Sequence, residues 1–174
     1  HWAYGYNSFY LNLPAGMVRP GTNTLKVDVE NKPQSSRWYP GAGLYRNVHL
    51  ITTSRVHIPV WGTYLTTPYV TADEASVRLE MQIEGAKKGE AVTVTTDILD
   101  PDGKTVATSS NIYHSQGQPY TQQFLVEKPQ RWSTETPWLY TARTTLSVDG
   151  EAVDQYDTRF GIRSLEYIPE KGFF

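Results

Sequence analysis

Hydrophobic and polar residues alternate along much of the chain with a period of two, and no stretch repeats apolar residues at helical spacing. In the clearest run, residues 77–83, the apolar side chains Val77, Leu79, Met81 and Ile83 would all point to one face of a strand. The same alternation is found in four further runs: 25–29, 56–60, 92–98 and 140–148. The pattern predicts an all-β protein whose strands bury one face.

Turn residues separate these runs at the places where a sandwich needs them. The sequence Asp-Pro-Asp-Gly at 100–103 sets a proline-directed turn and predicts a hairpin over 92–109. Asp149-Gly150 predicts a second turn before the strand that leads to Phe160. Strands at this spacing, without helices between them, indicate an immunoglobulin-like β-sandwich over residues 54–163.

The first 53 residues differ from the rest, because they carry several prolines and glycines and one good strand pattern at 25–30. They are too few for a sandwich of their own, and a small isolated sheet leaves its faces and edges uncovered. We therefore expect them to complete a larger β domain whose earlier strands lie outside this sequence.

Charge and composition exclude several classes of function. The chain has 16 basic and 18 acidic residues and no local run of Lys or Arg, so nucleic acid is not an expected partner. No apolar stretch is long enough to cross a bilayer, and no membrane partner is expected. Cysteine is absent, and the four histidines lack the spacing of metal ligands.

Three motifs occur in order along the chain. The first comprises Gly-Tyr-Asn-Ser-Phe at 5–9, Arg-Pro-Gly-Thr-Asn-Thr-Leu-Lys-Val-Asp-Val at 19–29, and Ser-Arg-Trp-Tyr-Pro-Gly-Ala-Gly-Leu-Tyr-Arg-Asn-Val at 36–48. The second is Pro-Gln-Arg-Trp-Ser-Thr-Glu-Thr-Pro-Trp-Leu-Tyr at 129–140, and the third is Phe-Gly-Ile-Arg at 160–163 with Gly-Phe-Phe at 172–174. Together they resemble glycoside hydrolase family 2, particularly its bacterial β-galactosidases, although Arg131 stands where Leu is usual.

The resemblance implies a domain plan. Residues 1–53 would be the last strands of a sugar-binding jelly roll, and 54–163 an immunoglobulin-like sandwich. Residues 164–174 would link it to a (β/α)8 catalytic barrel that this sequence does not contain. Family members use a retaining mechanism with two barrel glutamates about 5 Å apart. We therefore expect no catalytic residue and no cofactor in this segment, although the catalytic domain could hold a divalent or monovalent cation.

Two groups of candidate site residues follow from the resemblance. Arg37, Trp38 and Tyr39 are candidates for the substrate rim, where a ring and a guanidinium can stack on or bond to a galactoside; packing between domains is the equally open alternative. The second group is expected to be interdomain or structural: Arg46, Trp132, Trp138, Tyr140 and Arg163. The acidic residues of strand 77–83 and of turn 100–103 are expected to be solvated or to bond the backbone.

The expected function is that of a scaffold in an exo-glycosidase that hydrolyses terminal β-galactosides. The same framework serves β-glucuronidases and β-mannosidases, and a non-enzymatic glycan- or protein-binding sandwich is the rival from another class. The expected partners are the parent's barrel and jelly roll, a galactoside-type glycan through the whole enzyme, and a second copy in a homo-oligomer. A bacterial, periplasmic or otherwise exported location is expected, while a cytoplasmic one stays open.

Overall fold

The computed structural model describes residues 6–14, 16–34, 41–115 and 119–173, with only the backbone of Phe173. The chain divides into two compact units, His1–Ile51 and Thr52–Phe174. No helix occurs among the residues described. The prediction of an all-β fold is confirmed.

The second unit is a sandwich of seven antiparallel strands in two sheets. Its strands are β1 (Thr63–Val70), β2 (Glu74–Met81), β3 (Ala91–Leu99), β4 (Thr105–His114), β5 (Tyr120–Glu127), β6 (Tyr140–Val148) and β7 (Glu151–Phe160). One sheet has the order β1-β2-β5 and the other β4-β3-β6-β7. This three-on-four arrangement is of the immunoglobulin-like kind. A short ribbon of β8 (Tyr167–Ile168) and β9 (Gly172–Phe173) follows.

The core lies between the two sheets and is built from the alternating side chains that the sequence pattern marks. Leu79 and Met81 of β2 are fully buried against Ile98 of β3 and Leu146 of β6. Ile162, just after β7, closes the core on one side. Burying each such side chain contributes about 1.5–3 kcal/mol relative to leaving it in water.

The two predicted turns are both formed. The hairpin predicted over 92–109 is β3–β4, and the carboxylate of Asp100 accepts the backbone N–H groups of Asp102 (3.0 Å) and Lys104 (2.8 Å). Between β6 and β7, Asp149 and Gly150 have φ of 51° and 83°, the left-handed pair that a two-residue hairpin turn requires. Both predicted turns are therefore confirmed.

Two predicted strands are not formed as such. Residues 25–29 make no sheet ladder, because no second strand among the described residues of the first unit offers their backbone a hydrogen-bonding partner. The side chains of Leu25 and Val29 are exposed. At 56–60 only His57 makes a β-bridge, with Glu84. Pro59 lacks an N–H group to continue a ladder, and Trp61 has a positive φ of 58°. The jelly-roll assignment of residues 1–53 stays a prediction.

Candidate functional site

A groove of about 880 Å³ runs along the side of the sandwich where the edge strands β1 and β7 meet. At one point the seam is held by a hydrogen bond between the Oγ1 atoms of Thr63 and Thr158 (2.9 Å). Further along, Thr67 Oγ1 donates to the carbonyl oxygen of Arg163 (3.2 Å). These bonds fasten β7 and the chain after it to the opposite sheet, so the groove has a fixed floor.

Trp132 forms one wall of the groove and is held on three sides. Its backbone N–H donates to the carbonyl oxygen of Ile162 (2.8 Å), and the guanidinium carbon of Arg163 lies 4.9 Å from the indole centroid. A Cβ atom at Gly161 would lie 3.0 Å from Trp132 Cβ and Cγ, tighter than ordinary contact, so a larger residue would push the indole by a few tenths of an ångström. The cation–π contact adds about 0.5–1 kcal/mol at an exposed site.

Tyr140, the first residue of β6, fastens the start of the loop that carries Trp132. The buried hydroxyl of Tyr140 accepts the N–H of Gln130 (2.8 Å), and its ring centroid lies 5.7 Å from that of Phe160. Burial raises the pKa of the Tyr140 phenol. Because both ends of loop 129–139 are bonded to the sandwich, Trp132 is presented by a rigid support. Trp138, in the same loop, is 43% exposed.

Two exposed apolar side chains border the same groove. Tyr64 projects from β1 and Leu165 follows β7, and both are mostly accessible to solvent. With the Trp132–Arg163 pair they form a surface that is apolar in the middle and cationic at one side. We call these four residues the docking surface. Such a surface suits contact with another protein domain better than enclosure of a small molecule.

The docking surface unites two of the residues that the sequence singles out and adds two that it missed. Trp132 and Arg163 were both expected to be interdomain or structural, and the structure brings them into contact. Tyr64 and Leu165 were not anticipated, because single exposed apolar residues have no distinguishing sequence pattern. Gly161 belongs to the motif at 160–163, but its close approach to Trp132 has no signal in the sequence.

The remaining predicted site residues lie elsewhere. Arg37, Trp38 and Tyr39 fall outside the described residues, so their rim role stays a prediction. Arg46 lies in the first unit, where its Nη1 donates to Ser8 Oγ (3.3 Å) and its guanidinium carbon lies 5.1 Å from the Tyr45 ring centroid.

Several carboxylates of the sandwich are engaged in structural contacts. Glu90 accepts both guanidinium nitrogens of Arg55 (2.6 and 3.0 Å), and this pairing lowers the pKa of Glu90 to about 2. Arg143 binds both oxygens of Asp157 across β6 and β7. Hydrogen bonds to Thr134 and the nearby backbone likewise lower the pKa of Glu135. A general acid requires a raised pKa, so Glu90 and Glu135 are unsuited to that role.

Metal and membrane signatures are equally missing from the part of the chain that the structure describes. No three or more His, Cys, Asp or Glu side chains there come together in a way that could hold a metal ion. Within the same residues, no helix is long and apolar enough to cross a membrane. The geometry defines a β-sandwich module that presents a rigid docking surface.

Comparisons with known proteins give the family of this module. The family model described as "Glycosyl hydrolases family 2" matches residues 56–163, and the chain belongs to that family. The chain is 39% identical to the β-galactosidase BoGH2A of Bacteroides ovatus over 98% of its own length. It is 33% identical, again over 98% of its length, to a putative β-glucuronidase of Formosa agariphila.

The solved structures agree with this assignment. A glycosyl hydrolase family 2 member from Bacteroides cellulosilyticus DSM 14838 superposes with a TM-score of 0.75 at 30% identity. The match covers 84% of this chain and 21% of that one. The chain spans only 21% of the length of the Bacteroides ovatus relative and 16% of that of the Formosa agariphila relative.

Proposed function

We propose that this chain is the non-catalytic scaffold segment of a longer, retaining exo-glycosidase that hydrolyses terminal β-galactosides. The observation that carries the proposal is the match to family 2 over a sandwich with a rigid docking surface. The pKa values of Glu90 and Glu135 fall below their ordinary range, opposite to the direction that a glycosidase acid needs. We assign the catalytic carboxylates to another part of the parent protein, which the family plan places in a separate catalytic domain.

The docking surface is the part of the scaffold that we assign to contact with the catalytic domain. Trp132 and Arg163 are pre-ordered by backbone bonds and by each other, so little conformational entropy is lost when a partner covers them. Aromatic and Arg side chains are also the residue types that contribute most to interfaces. A rigid platform of this kind holds the rim of an active site in place without taking part in the chemistry.

The assignment to galactosides rests on a difference between relatives. The β-galactosidase of Bacteroides ovatus is 39% identical to this chain and the putative β-glucuronidase of Formosa agariphila 33%. Hydrolysis of chromogenic β-galactoside, β-glucuronide and β-mannoside by the full-length parent tests this directly. We expect the galactoside to have the highest kcat/KM, and a higher value for either other sugar would overturn the assignment.

The 174-residue chain alone serves as the control for catalysis and for the rival binding module. It is expected to hydrolyse none of the three sugars and to show no saturable binding of galactoside oligomers by calorimetry. Tight glycan binding by the isolated chain would favour the non-enzymatic module, because no catalytic domain is needed for that activity.

We also place the parent in the periplasm or another exported location of a bacterium.

Replacing Leu165 with lysine tests the docking surface in the parent protein. Burying an ammonium group against another domain costs about 2 kcal/mol or more, so Leu165→Lys should lower the thermal midpoint and kcat/KM of the parent. Leu125→Lys is the matched control, because the two leucines are similarly exposed, Leu125 at 52% and Leu165 at 58%. Leu125 lies on β5, away from the docking surface. Equal effects of the two substitutions would contradict the assignment of the surface.

A further inference from the structure

The second unit contains six arginines, which differ in whether a carboxylate pairs with them. Three form ion pairs within the sandwich: Arg55 with Glu90 (2.6 Å), Arg78 with Glu80 (2.8 Å) and Arg143 with Asp157 (2.9 Å). Among the residues described, no Asp or Glu forms an ion pair with Arg131, Arg159 or Arg163. Arg159 and Arg163 line the same groove as Trp132, and Arg131 precedes Trp132 in the chain. The unpaired arginines are therefore grouped around the docking surface.

The groove beside the docking surface has no acidic residue among its described lining residues. Arg159 of β7 and Arg163 are its two charged members, and the rest are apolar or neutral. The chain as a whole has 18 acidic and 16 basic residues, so this local excess of positive charge departs from the overall composition. Surfaces of one sign attract and orient partners of the opposite sign.

The guanidinium of Arg163 is ordered in a way that leaves it able to bind a carboxylate. Its carbon lies over the Trp132 ring, 4.9 Å from the centroid, and the Arg163 carbonyl accepts a hydrogen bond from Thr67 Oγ1. A guanidinium that lies over a ring keeps the N–H groups at its edge available for two parallel bonds to one carboxylate. Arg163 therefore loses little conformational freedom when such a partner binds.

The docking surface restricts the chemistry of any protein face that covers it. Its apolar members, Tyr64 and Leu165, are 65% and 58% exposed and favour apolar contact. A cover without acidic groups would remove two guanidinium groups from water with no anion to replace it, which is strongly unfavourable. A face that is apolar opposite Tyr64 and Leu165, and that presents a carboxylate to Arg163, satisfies both requirements.

We propose that the docking surface and Arg159 receive a segment of the parent's catalytic domain that combines an apolar side chain with an Asp or Glu carboxylate. The apolar side chain covers Tyr64 and Leu165. The carboxylate accepts two N–H bonds from the edge of the Arg163 guanidinium, and Arg159 adds a second positive charge beside it. The inference rests on the proposed function, because it requires a catalytic domain at this surface.

An acidic sugar is the other source of a carboxylate, and the groove is less suited to it. Sugars bind proteins largely by stacking on aromatic faces, but the indole of Trp132 is already in contact with Arg163 and with Gly161. The chain after β7 also runs along the groove, since Ser164 and Leu165 are among its lining residues. A protein segment is therefore the favoured occupant.

Zero-length crosslinking tests the contact in the full-length parent. Arg163→Lys keeps the positive charge and supplies an amine, which a water-soluble carbodiimide joins to a carboxylate only when the two are in contact. Digestion and mass spectrometry should then show an amide bond between position 163 and an Asp or Glu of the catalytic domain. Leu125→Lys places an amine on β5, away from the docking surface, and should give no product with the catalytic domain.

Arg159→Lys repeats the crosslinking experiment at the second arginine of the groove. A product with the catalytic domain from either position supports the proposal. Products that join these positions only to acidic residues of this chain, such as Glu166, would overturn it, because the carboxylate would then come from the segment itself. The absence of any product from both positions would overturn it as well.

Arg163→Gln and Arg163→Glu distinguish a partner's carboxylate from the contact with Trp132. Both substitutions remove that contact, so in the 174-residue chain their thermal midpoints should agree within about 1 °C. In the parent, Arg163→Glu also sets like charges against each other, and its midpoint should lie about 3 °C or more below that of Arg163→Gln. Gln123→Glu makes the same charge step on exposed β5 and should shift chain and parent equally. Equal midpoints for the two Arg163 variants in the parent would contradict an acidic partner.

Calorimetry of the 174-residue chain with glucuronic acid and methyl β-glucuronide tests the sugar alternative. No saturable binding is expected at concentrations up to about 10 mM. Saturable binding that Arg163→Gln abolishes would replace the proposal with an acidic-sugar site. A parent that hydrolyses the galactoside but fails the crosslinking experiment keeps the proposed function and loses only this inference. A parent that hydrolyses none of the three sugars loses the proposed function itself.

Discussion

Gly85→Ala is expected to lower the free energy of unfolding of the sandwich by about 2–4 kcal/mol, through left-handed strain and steric overlap together. Gly85 has a φ of 75°, and a Cβ atom there would overlap the carbonyl oxygen of Arg55. That oxygen belongs to the segment whose His57 exchanges backbone hydrogen bonds with Glu84 (2.9 and 3.2 Å). Displacing the segment withdraws Val56 and Ile58, both 2% exposed, from the core.

Gly103→Ala separates the two contributions. Gly103 has a similar φ of 82°, but a Cβ atom there meets nothing within 4 Å. Its replacement should therefore cost only the left-handed strain, about 1 kcal/mol. Urea unfolding of both variants followed by circular dichroism measures the difference. If the two alanine variants were equally stable, the close approach of Arg55 to Gly85 would be contradicted.

The fold of the sandwich was largely predictable because its signals are local. The run 140–148 coincides with β6 at both ends, since Asp149 and Gly150 provide a sharp stop. The run 77–83 is displaced from β2, which covers Glu74–Met81. Met81 lies opposite Thr63 and Tyr120, the first residues of β1 and β5, so β2 ends where both of its partner strands begin. Strand ends are set by the partner, which alternation within one strand does not specify.

The two predicted strands that do not form, at 25–29 and 56–60, also depend on partners that the local sequence does not specify. Residues 25–29 alternate as well as any strand of the sandwich, yet a strand needs a neighbour for its backbone groups, and none is formed among the described residues of that unit. Val56 and Ile58 keep the burial that alternation predicts, although the ladder around them stops at one bridge. Within the sandwich, the hydrophobic period therefore predicts which side chains are buried better than which backbone groups are paired. At 25–29 it predicts neither, since Leu25, Val27 and Val29 are also exposed.

The candidate site was predictable only in part. The sequence motifs singled out Trp132 and Arg163 separately. Their stacking depends on the hydrogen bond from the backbone N–H of Trp132 to the carbonyl of Ile162, a contact between distant segments. Likewise, Arg55 and Glu90 lie 35 residues apart, and nothing in either neighbourhood indicates the pair. Contacts of this kind arise from the packing of the sheets, which the local pattern determines only in outline.

The buried pair Thr96 and Thr144 gives a second large effect. These threonines face each other across β3 and β6 at 0% and 1% exposure, and their Oγ1 atoms are 2.8 Å apart. Thr96→Val keeps the shape but leaves the hydroxyl of Thr144 buried without this partner, so the sandwich should lose about 1–3 kcal/mol. Urea unfolding at fixed protein concentration measures the loss.

The double variant Thr96→Val/Thr144→Val distinguishes a lost hydrogen bond from a packing fault. Replacing both partners removes the unsatisfied group, so the double variant should be nearly as stable as the original or more stable, with a coupling energy of about 1–3 kcal/mol. Thr95→Val is the control on the opposite, partly exposed face of β3, where water can replace the bond to Ser110 and the change should stay within about 0.5 kcal/mol. Additive losses in the double variant would mean that valine does not fit between the sheets. The cost would then come from the shape of the core and not from the Thr96–Thr144 hydrogen bond.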